Sequence, residues 1–278
     1  MKKNYREFQV GPGVMLRAKK SLGQHFLTSE KALAQIVEAG QVGPQDVVLE
    51  IGPGKGVLTQ GLLARAKKVI AIEKDRELIP VLTEKFYTYI KEGKLELIEA
   101  DILKFDPSSN LELKTYKLIA NIPYYITGAI IEQFLSATNQ PTQMVLLIQK
   151  EVAERMVARD GKESVLSIAV KAYGVPKIIA KVPAGAFSPA PKVDSAIISI
   201  ENISRDFFEG LHERSFFSVL KFIFGKKRKQ IGGSLAEFVG DRKKALGILE
   251  KLSIDSKTRP EDLRLSDWKQ LTEKLELG

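Results

Sequence analysis

Val47-Val48-Leu49-Glu50-Ile51-Gly52-Pro53-Gly54-Lys55-Gly56 is a short apolar run that empties into three glycines, and a helical pattern starts at Val57. A strand that ends in a glycine turn and feeds a helix is the opening unit of a parallel α/β sheet, and backbone at such a turn can approach a ligand closely. Residues 69–72, 95–98, 118–120 and 144–148 are further apolar runs of strand type, with amphipathic stretches between most of them. That alternation predicts a Rossmann-like parallel sheet wrapped by helices. Two more runs, 177–182 and 193–201, flank a Pro-rich segment at 184–192 and are expected to close the sheet antiparallel, giving seven strands in all. Beyond residue 203 strand-type runs stop, and 207–224, 235–238, 245–252 and 265–275 carry apolar residues at spacings of three and four. The expected organisation is an α/β domain over 1–203 and a small all-helical domain over 204–278.

The chain has 278 residues, 44% of them hydrophobic, enough for a sizeable core. Lys and Arg number 43 against 34 Asp and Glu, a net charge of +9, which favours a polyanionic partner such as nucleic acid. A basic enzyme with no such partner carries the same charge. There is no cysteine, which excludes disulfides, thiolate zinc sites and Cys nucleophiles; no metal site is expected, and a cytoplasmic location is. The apolar run 118–131 is broken by Asn, Pro and Gly and is shorter than the roughly 18 residues of a spanning helix, so no membrane partner is expected.

Gly52, Gly54 and Gly56 form Gly-x-Gly-x-Gly, which differs from the dinucleotide fingerprint, and no Gly-Lys-Ser/Thr follows as in a phosphate loop. Glu50 before the turn suits a ligand with a cationic amino acid end whose carboxylate approaches the helix N-terminus, the charge layout of S-adenosylmethionine. Glu73 falls at the tip of the next strand, about 20 residues on, where a carboxylate accepts from ribose hydroxyls. Asp101 follows the third strand and can accept from an adenine amino group. At the fourth tip stands Asn121-Ile122-Pro123-Tyr124-Tyr125. Pro123 biases Ile122 away from helix, so the Asn oxygen and the Ile122 or Pro123 carbonyl can each accept one hydrogen of an exocyclic amine while Tyr124 stacks on the base. Each feature alone reads equally as an ordinary strand end or solvated charge. Their occurrence at four successive strand tips does not.

With these residues in place, the chain resembles the ribosomal RNA adenine N6-methyltransferases, and among them the small-subunit dimethyladenosine transferases. The resemblance covers nearly the whole length: Lys20-Ser21-Leu22-Gly23-Gln24-His25-Phe26-Leu27, Glu50 to Thr59, Asn121 to Tyr124, and Phe187-Ser188-Pro189-Ala190-Pro191-Lys192-Val193-Asp194-Ser195-Ala196. It implies a class I methyltransferase sheet, with His25, Leu27, Gly52, Glu73, Asp101 and Asn121 around S-adenosylmethionine, and Phe187 beside the target base opposite Tyr124. His25 stands where many relatives carry Asn, so its contact is expected to run through backbone or a different hydrogen bond. The reaction implied is dimethylation at N6 of two adjacent adenosines of small-subunit (16S) ribosomal RNA in a pre-30S particle, by a monomer acting in ribosome biogenesis. Two alternatives stand beside it: a large-subunit adenine methyltransferase of macrolide-resistance type, and an assembly factor acting mainly by binding.

Between Arg214 and Lys229 the charged residues are Arg214, Lys221, Lys226, Lys227, Arg228 and Lys229, with no acid. Closely spaced cations on a helix can track phosphates, and these six are the candidate RNA contacts. Phe216, Phe217, Phe222 and Phe224 sit at helical spacing among them and are expected in the core. Relatives carry a comparable Phe-plus-basic run, although here it reads Phe224-Gly225-Lys226-Lys227-Arg228-Lys229. Lys2, Lys3, Arg6, Arg17, Lys19 and Lys20 make the N-terminus a second candidate contact.

Overall fold

The protein is described by a computed structural model over residues 7–11, 14–19, 22–107, 115–226 and 229–276. Its strands are β1 (Glu7–Gly11), β2 (Val14–Arg17), β3 (Phe26–Leu27), β4 (Val47–Ile51), β5 (Lys68–Glu73), β6 (Leu95–Glu99), β7 (Lys117–Asn121), β8 (Gln143–Gln149), β9 (Val175–Val182), β10 (Phe187–Ser188) and β11 (Ser195–Glu201). Seven of them form one sheet in the order β6-β5-β4-β7-β8-β11-β9. The first five run parallel, and β11 pairs antiparallel with both β8 and β9, as the sequence pattern predicts. Val48, Leu49, Val69, Ala71, Leu118, Ile119 and Ala120 are 0% exposed, as are the five residues from Met144 to Ile148. Continuous burial of that kind means helices cover both faces, which is why these strands read as apolar runs rather than alternating ones.

The helices of this part are α1 (Glu30–Ala39), α2 (Val57–Leu63), α3 (Leu78–Lys85), α4 (Tyr87–Lys91), α5 (Thr127–Leu135) and α6 (Lys150–Met156), followed by α7 (Val165–Tyr173), α8 (Glu213–Gly225), α9 (Ile231–Val239), α10 (Arg242–Lys251) and α11 (Leu265–Glu276). From β4 the chain builds outward through β5 and β6, then returns to add β7 on the other side of β4. The carboxyl ends of β4 and β7 therefore diverge, and a crevice opens at that switch point.

The chain divides into two compact units. One runs through Ala153 and resumes over Val175–Ile203; the other takes Glu154–Gly174 and everything from Ser204. The sequence reading has a single division near 203, whereas the helical unit also draws on an earlier segment. The reason lies in α7: Tyr173 sits 5.1 Å from Phe208 and 6.0 Å from Phe217, and its hydroxyl donates to Glu213 Oε1 at 2.5 Å. Within this unit α8 buries Phe216, Val219, Leu220 and Ile223, Phe222 meets Phe238, and Phe224 stacks on Trp268. Of the aromatics among the basic residues, Phe216 is thus core, and Phe217, Phe222 and Phe224 are half-buried with their rings packed on other aromatics. Phe207 and Phe208 belong to a short 3-10 turn rather than to α8, because Gly210 at φ +75° breaks the chain between them.

Candidate active site

One wall of the crevice is the segment that precedes α1. Lys19 Nζ lies 2.6 Å from Asp75 Oδ1 and 3.0 Å from Glu77, Gln24 Nε2 donates to Asp75 Oδ2 at 2.8 Å, and Gln24 Oε1 accepts from the Lys19 N–H. Burial raises the Asp75 carboxyl, but the bonds from Lys19 and Gln24 outweigh it and hold the group below its ordinary value. Further on, β3 pairs with β10, setting Leu27 opposite Phe187, and Thr28 donates twice to the Ala186 carbonyl. The segment is anchored through Lys19 and Gln24 at one end and through Leu27 and Thr28 at the other.

The glycine turn forms the floor. Gly52, Gly54 and Gly56 all have positive φ, at +65°, +59° and +72°, where other residues are strained. Their surroundings differ. A Cβ on Gly52 would meet nothing within 4 Å and would project into the crevice, whereas one on Gly54 would lie 3.1 Å from the Phe26 ring. On Gly56 it would lie 2.4 Å from Phe86 Cε2, so that glycine serves packing and does not line the crevice. Beneath the turn Lys85 Nζ donates to the Lys55 carbonyl at 2.9 Å and the Gly56 carbonyl at 3.4 Å.

Two carboxylates face this turn. Glu73, 6% exposed, accepts from the Gly54 N–H at 3.1 Å and the Asp75 N–H at 2.8 Å, one on each oxygen. Burial raises its carboxyl above the usual range. Four lone-pair sites less two leaves acceptor capacity, the requirement for holding a diol. Glu50 is 1% exposed, and burial pushes it up to about 8, with the charge of Glu73 acting in the same direction. Its Oε2 is buried with no hydrogen-bond partner, an orphan that a cationic ligand group would satisfy. Asp101, at the third tip, pairs with Lys74 at 2.9 Å, and that partner holds its carboxyl below the ordinary value.

The fourth tip carries the most directional group. Asn121 Nδ2 lies 3.2 Å from the main-chain oxygen of His25. A carbonyl can only accept, so the NH2 end of the amide must face His25, and Oδ1 is turned the other way as an acceptor. His25 also places its Nδ1 2.7 Å from the Pro189 carbonyl, which by the same reasoning makes Nδ1 the protonated nitrogen. Its ring lies nearly parallel to that of Tyr124, at 19° and 6.1 Å between centroids. The Tyr124 hydroxyl is 2.6 Å from Ser195 Oγ, so the ring is fixed from its far end. Ser195 falls within the late motif, but its spacing from Tyr124 gives no sign of the contact.

His25, Leu27, Gly52, Gly54, Glu73, Asp101, Asn121, Ile122, Pro123 and Tyr124 line this one crevice, together with Gly23, Gln24, Glu50, Lys55, Lys74 and Tyr125. Phe187 does not. It is 4% exposed and packs in the core beside Leu27, Val182 and Ala186, because strand pairing with Leu27 draws it inward. In the helical unit Arg214 and Lys221 are exposed on α8. Lys226 and Lys229 both pair with Glu237, and Lys229 does so at 2.7 Å; these bonds lower the Glu237 carboxyl to about 2. Lys2, Lys3, Arg6, Lys20, Lys227 and Arg228 lie outside the described residues, as does the Arg17 side chain. Among the described residues no helix is long and apolar enough to cross a membrane.

Known proteins resemble the chain in sequence and in fold. The signature of the family described as "Ribosomal RNA adenine dimethylase" matches residues 15–276. The chain is 43% identical over 261 residues to ribosomal RNA small subunit methyltransferase A of Dehalococcoides mccartyi, covering 93% of this chain and 89% of that one. It is 38% identical to the protein of the same name from Clostridium botulinum, over 91% and 92% of the two chains. Among solved structures, a dimethyladenosine transferase from Plasmodium falciparum superposes with a TM-score of 0.78 at 28% identity, over 91% of this chain and 98% of that one. The 23S rRNA methyltransferase ErmE gives 0.73 at 27%, over 90% and 99%. By sequence along almost its full length and by fold, the chain belongs to the ribosomal RNA adenine dimethylase family.

Proposed function

We propose that the protein transfers methyl groups from S-adenosylmethionine to N6 of two adjacent adenosines in small-subunit ribosomal RNA, giving N6,N6-dimethyladenosine during small-subunit biogenesis. The observation that carries the reading is the orientation of Asn121, whose NH2 is occupied by the His25 carbonyl and whose Oδ1 is therefore an acceptor at the crevice. Adenine N6 is a poor nucleophile because its lone pair is delocalised into the ring. Accepting its hydrogens returns electron density to the nitrogen. Asn121 Oδ1 takes one hydrogen, and the second is assigned to the Ile122 carbonyl, since the Pro123 carbonyl already accepts from the Ile126 N–H at 3.2 Å.

The residues present fit the cofactor. The orphaned Glu50 Oε2 suits its amino group, the open space at Gly52 admits a ligand against bare backbone, and Glu73 retains lone pairs for the ribose. Asp101 is assigned to the adenine amine, and His25 and Leu27 to the wall beside it. Bound there, the cofactor supplies an electrophilic methyl group on a sulfonium, so positioning of the amine can provide most of the rate enhancement. Tyr124 holds one face of the target base. For Phe187 to cover the other, it must leave the core. No side-chain base is required, because the alkylated ammonium is acidic enough to release its proton to water.

The helical unit is assigned to RNA, with Arg214, Lys221, Lys226, Lys227, Arg228 and Lys229 along phosphates, in a cytoplasmic pre-30S particle engaged by a monomer. Incubating the pure protein with immature small subunits and, separately, with large-subunit RNA tests the reading. N6,N6-dimethyladenosine is expected only in the small-subunit RNA. Product in large-subunit RNA alone would favour the macrolide-resistance type, and binding without product would favour an assembly factor.

A further inference from the structure

We infer that Tyr125 is a stacking platform for the nucleotide next to the target base in the RNA strand, and so helps to choose the substrate; this rests on the proposed reading of the crevice as an adenine-methylating site. Tyr124 and Tyr125 are consecutive in one 3-10 turn, Tyr124–Ile126, where successive side chains point about 120° apart. Tyr124 is tied inward to Ser195, and Tyr125 is left 62% exposed at the mouth of the same crevice. A single exposed aromatic needs no explanation by itself. This one is set against a prepared surface. A Cβ on Gly23 would lie 3.2 Å from both Cδ1 and Cε1 of the Tyr125 ring, and Gly23 has φ +60°. Only glycine lets the anchored wall close on the ring edge, so the ring is braced while most of it faces solvent. Leu103 and Val57, 43% and 40% exposed, also line the crevice and add apolar surface near the ring.

An RNA base reaches such a crevice only by leaving its stack, which strips a stacking partner from its neighbour in the strand. That neighbour is covalently bound to stay at the mouth, where Tyr125 replaces the lost partner. A π-face serves any base, so the platform recognises an unstacked neighbour rather than its hydrogen-bonding edge.

The test crosses two proteins with three RNAs, with initial rates of methylation measured across RNA concentration. The proteins are wild type and Tyr125→Ala; the RNAs are the intact substrate and two substrates with an abasic nucleotide on one or the other flank of the adjacent target adenosines, so that both methyl acceptors remain. Each change alone is expected to raise KM about tenfold with kcat within a factor of two or three, and the two together to cost no more than one. Tyr125→Phe should behave as wild type. Losses that multiply, or a Tyr125→Ala protein with unchanged KM, overturn the platform while leaving the crevice assignment intact. Failure of wild type to methylate intact RNA overturns the underlying reading instead. Because Tyr125 is exposed, an unchanged melting temperature of the Ala variant separates this outcome from misfolding.

Discussion

Replacing Glu50 with Gln should abolish a pH dependence of cofactor binding that the wild-type protein shows. Burial raises the Glu50 carboxyl to about 8, with the neighbouring Thr59 and the charge of Lys85 pulling it only partly back. At pH 6 roughly one molecule in a hundred then has Glu50 ionised, and at pH 7 roughly one in eleven. The cofactor's amino group stays protonated in this window, since an α-amino group titrates near 8. A cation placed beside Glu50 favours the carboxylate, so binding expels a proton and affinity should climb about ninefold from pH 6 to pH 7. Titration calorimetry in two buffers of different ionisation heat measures both the affinity and the released proton. Glu50→Gln keeps the shape and should bind with a flat profile and no proton. In the ligand-free protein the sign reverses: the folded state keeps a proton that the unfolded chain gives up above 4.5, so stability falls between about 4.5 and about 8, by up to ~1.4 kcal/mol per pH unit, and Gln relieves that loss. A wild-type affinity that stays level between pH 6 and 7, or a Gln variant with the same slope, refutes the assignment of Glu50 to the cofactor's amine.

Gly56→Ala should lower stability by roughly 2–5 kcal/mol in thermal unfolding, the left-handed backbone costing about 1–2 and the collision with Phe86 about 1–3. Gly52→Ala, whose Cβ meets nothing, should instead lose cofactor affinity with a smaller change in melting temperature. Tyr124→Phe leaves Ser195 Oγ buried without its partner, so denaturant titration should show a loss of about 1–3 kcal/mol while methylation falls only a few-fold; Tyr124→Ala should lose the base-stacking contribution as well. Glu237→Gln releases Lys226 and Lys229 and should tighten RNA binding about fivefold at low salt, with the gain fading as salt rises, as filter binding would report.

The sheet was legible in the sequence because parallel strands buried on both faces must be continuous apolar runs, and Gly52, Glu73, Asp101 and Asn121 sit where such runs end. Pairings across long sequence distances were not. Leu27 and Phe187 meet in strands of two residues, too short for any periodicity, and that pairing takes Phe187 into the core despite its exposed-looking Pro-rich surroundings. Gly56 reads like Gly52, since glycine in a turn looks the same whether it admits a ligand or a neighbour's ring. The share of Glu154–Gly174 in the helical unit is invisible because its apolar face is amphipathic in the same way as helices that cover a sheet. The main-chain contact of His25 with Asn121 leaves no trace in residue types at all. Lys226 and Lys229 looked unopposed within their own run, but their acid, Glu237, lies on the next helix.

Whether Asn121 accepts from the amine of a target adenine is read by mapping N6,N6-dimethyladenosine made in small-subunit RNA under single turnover by wild type and by Asn121→Ala. Wild type should produce it at two adjacent positions. The Ala variant, folded to the same melting temperature, should be slower by roughly 10²–10³, as for removal of one preorganised group that acts in the transition state. No N6-methylated product from wild type, or equal rates from the two proteins, would contradict the account.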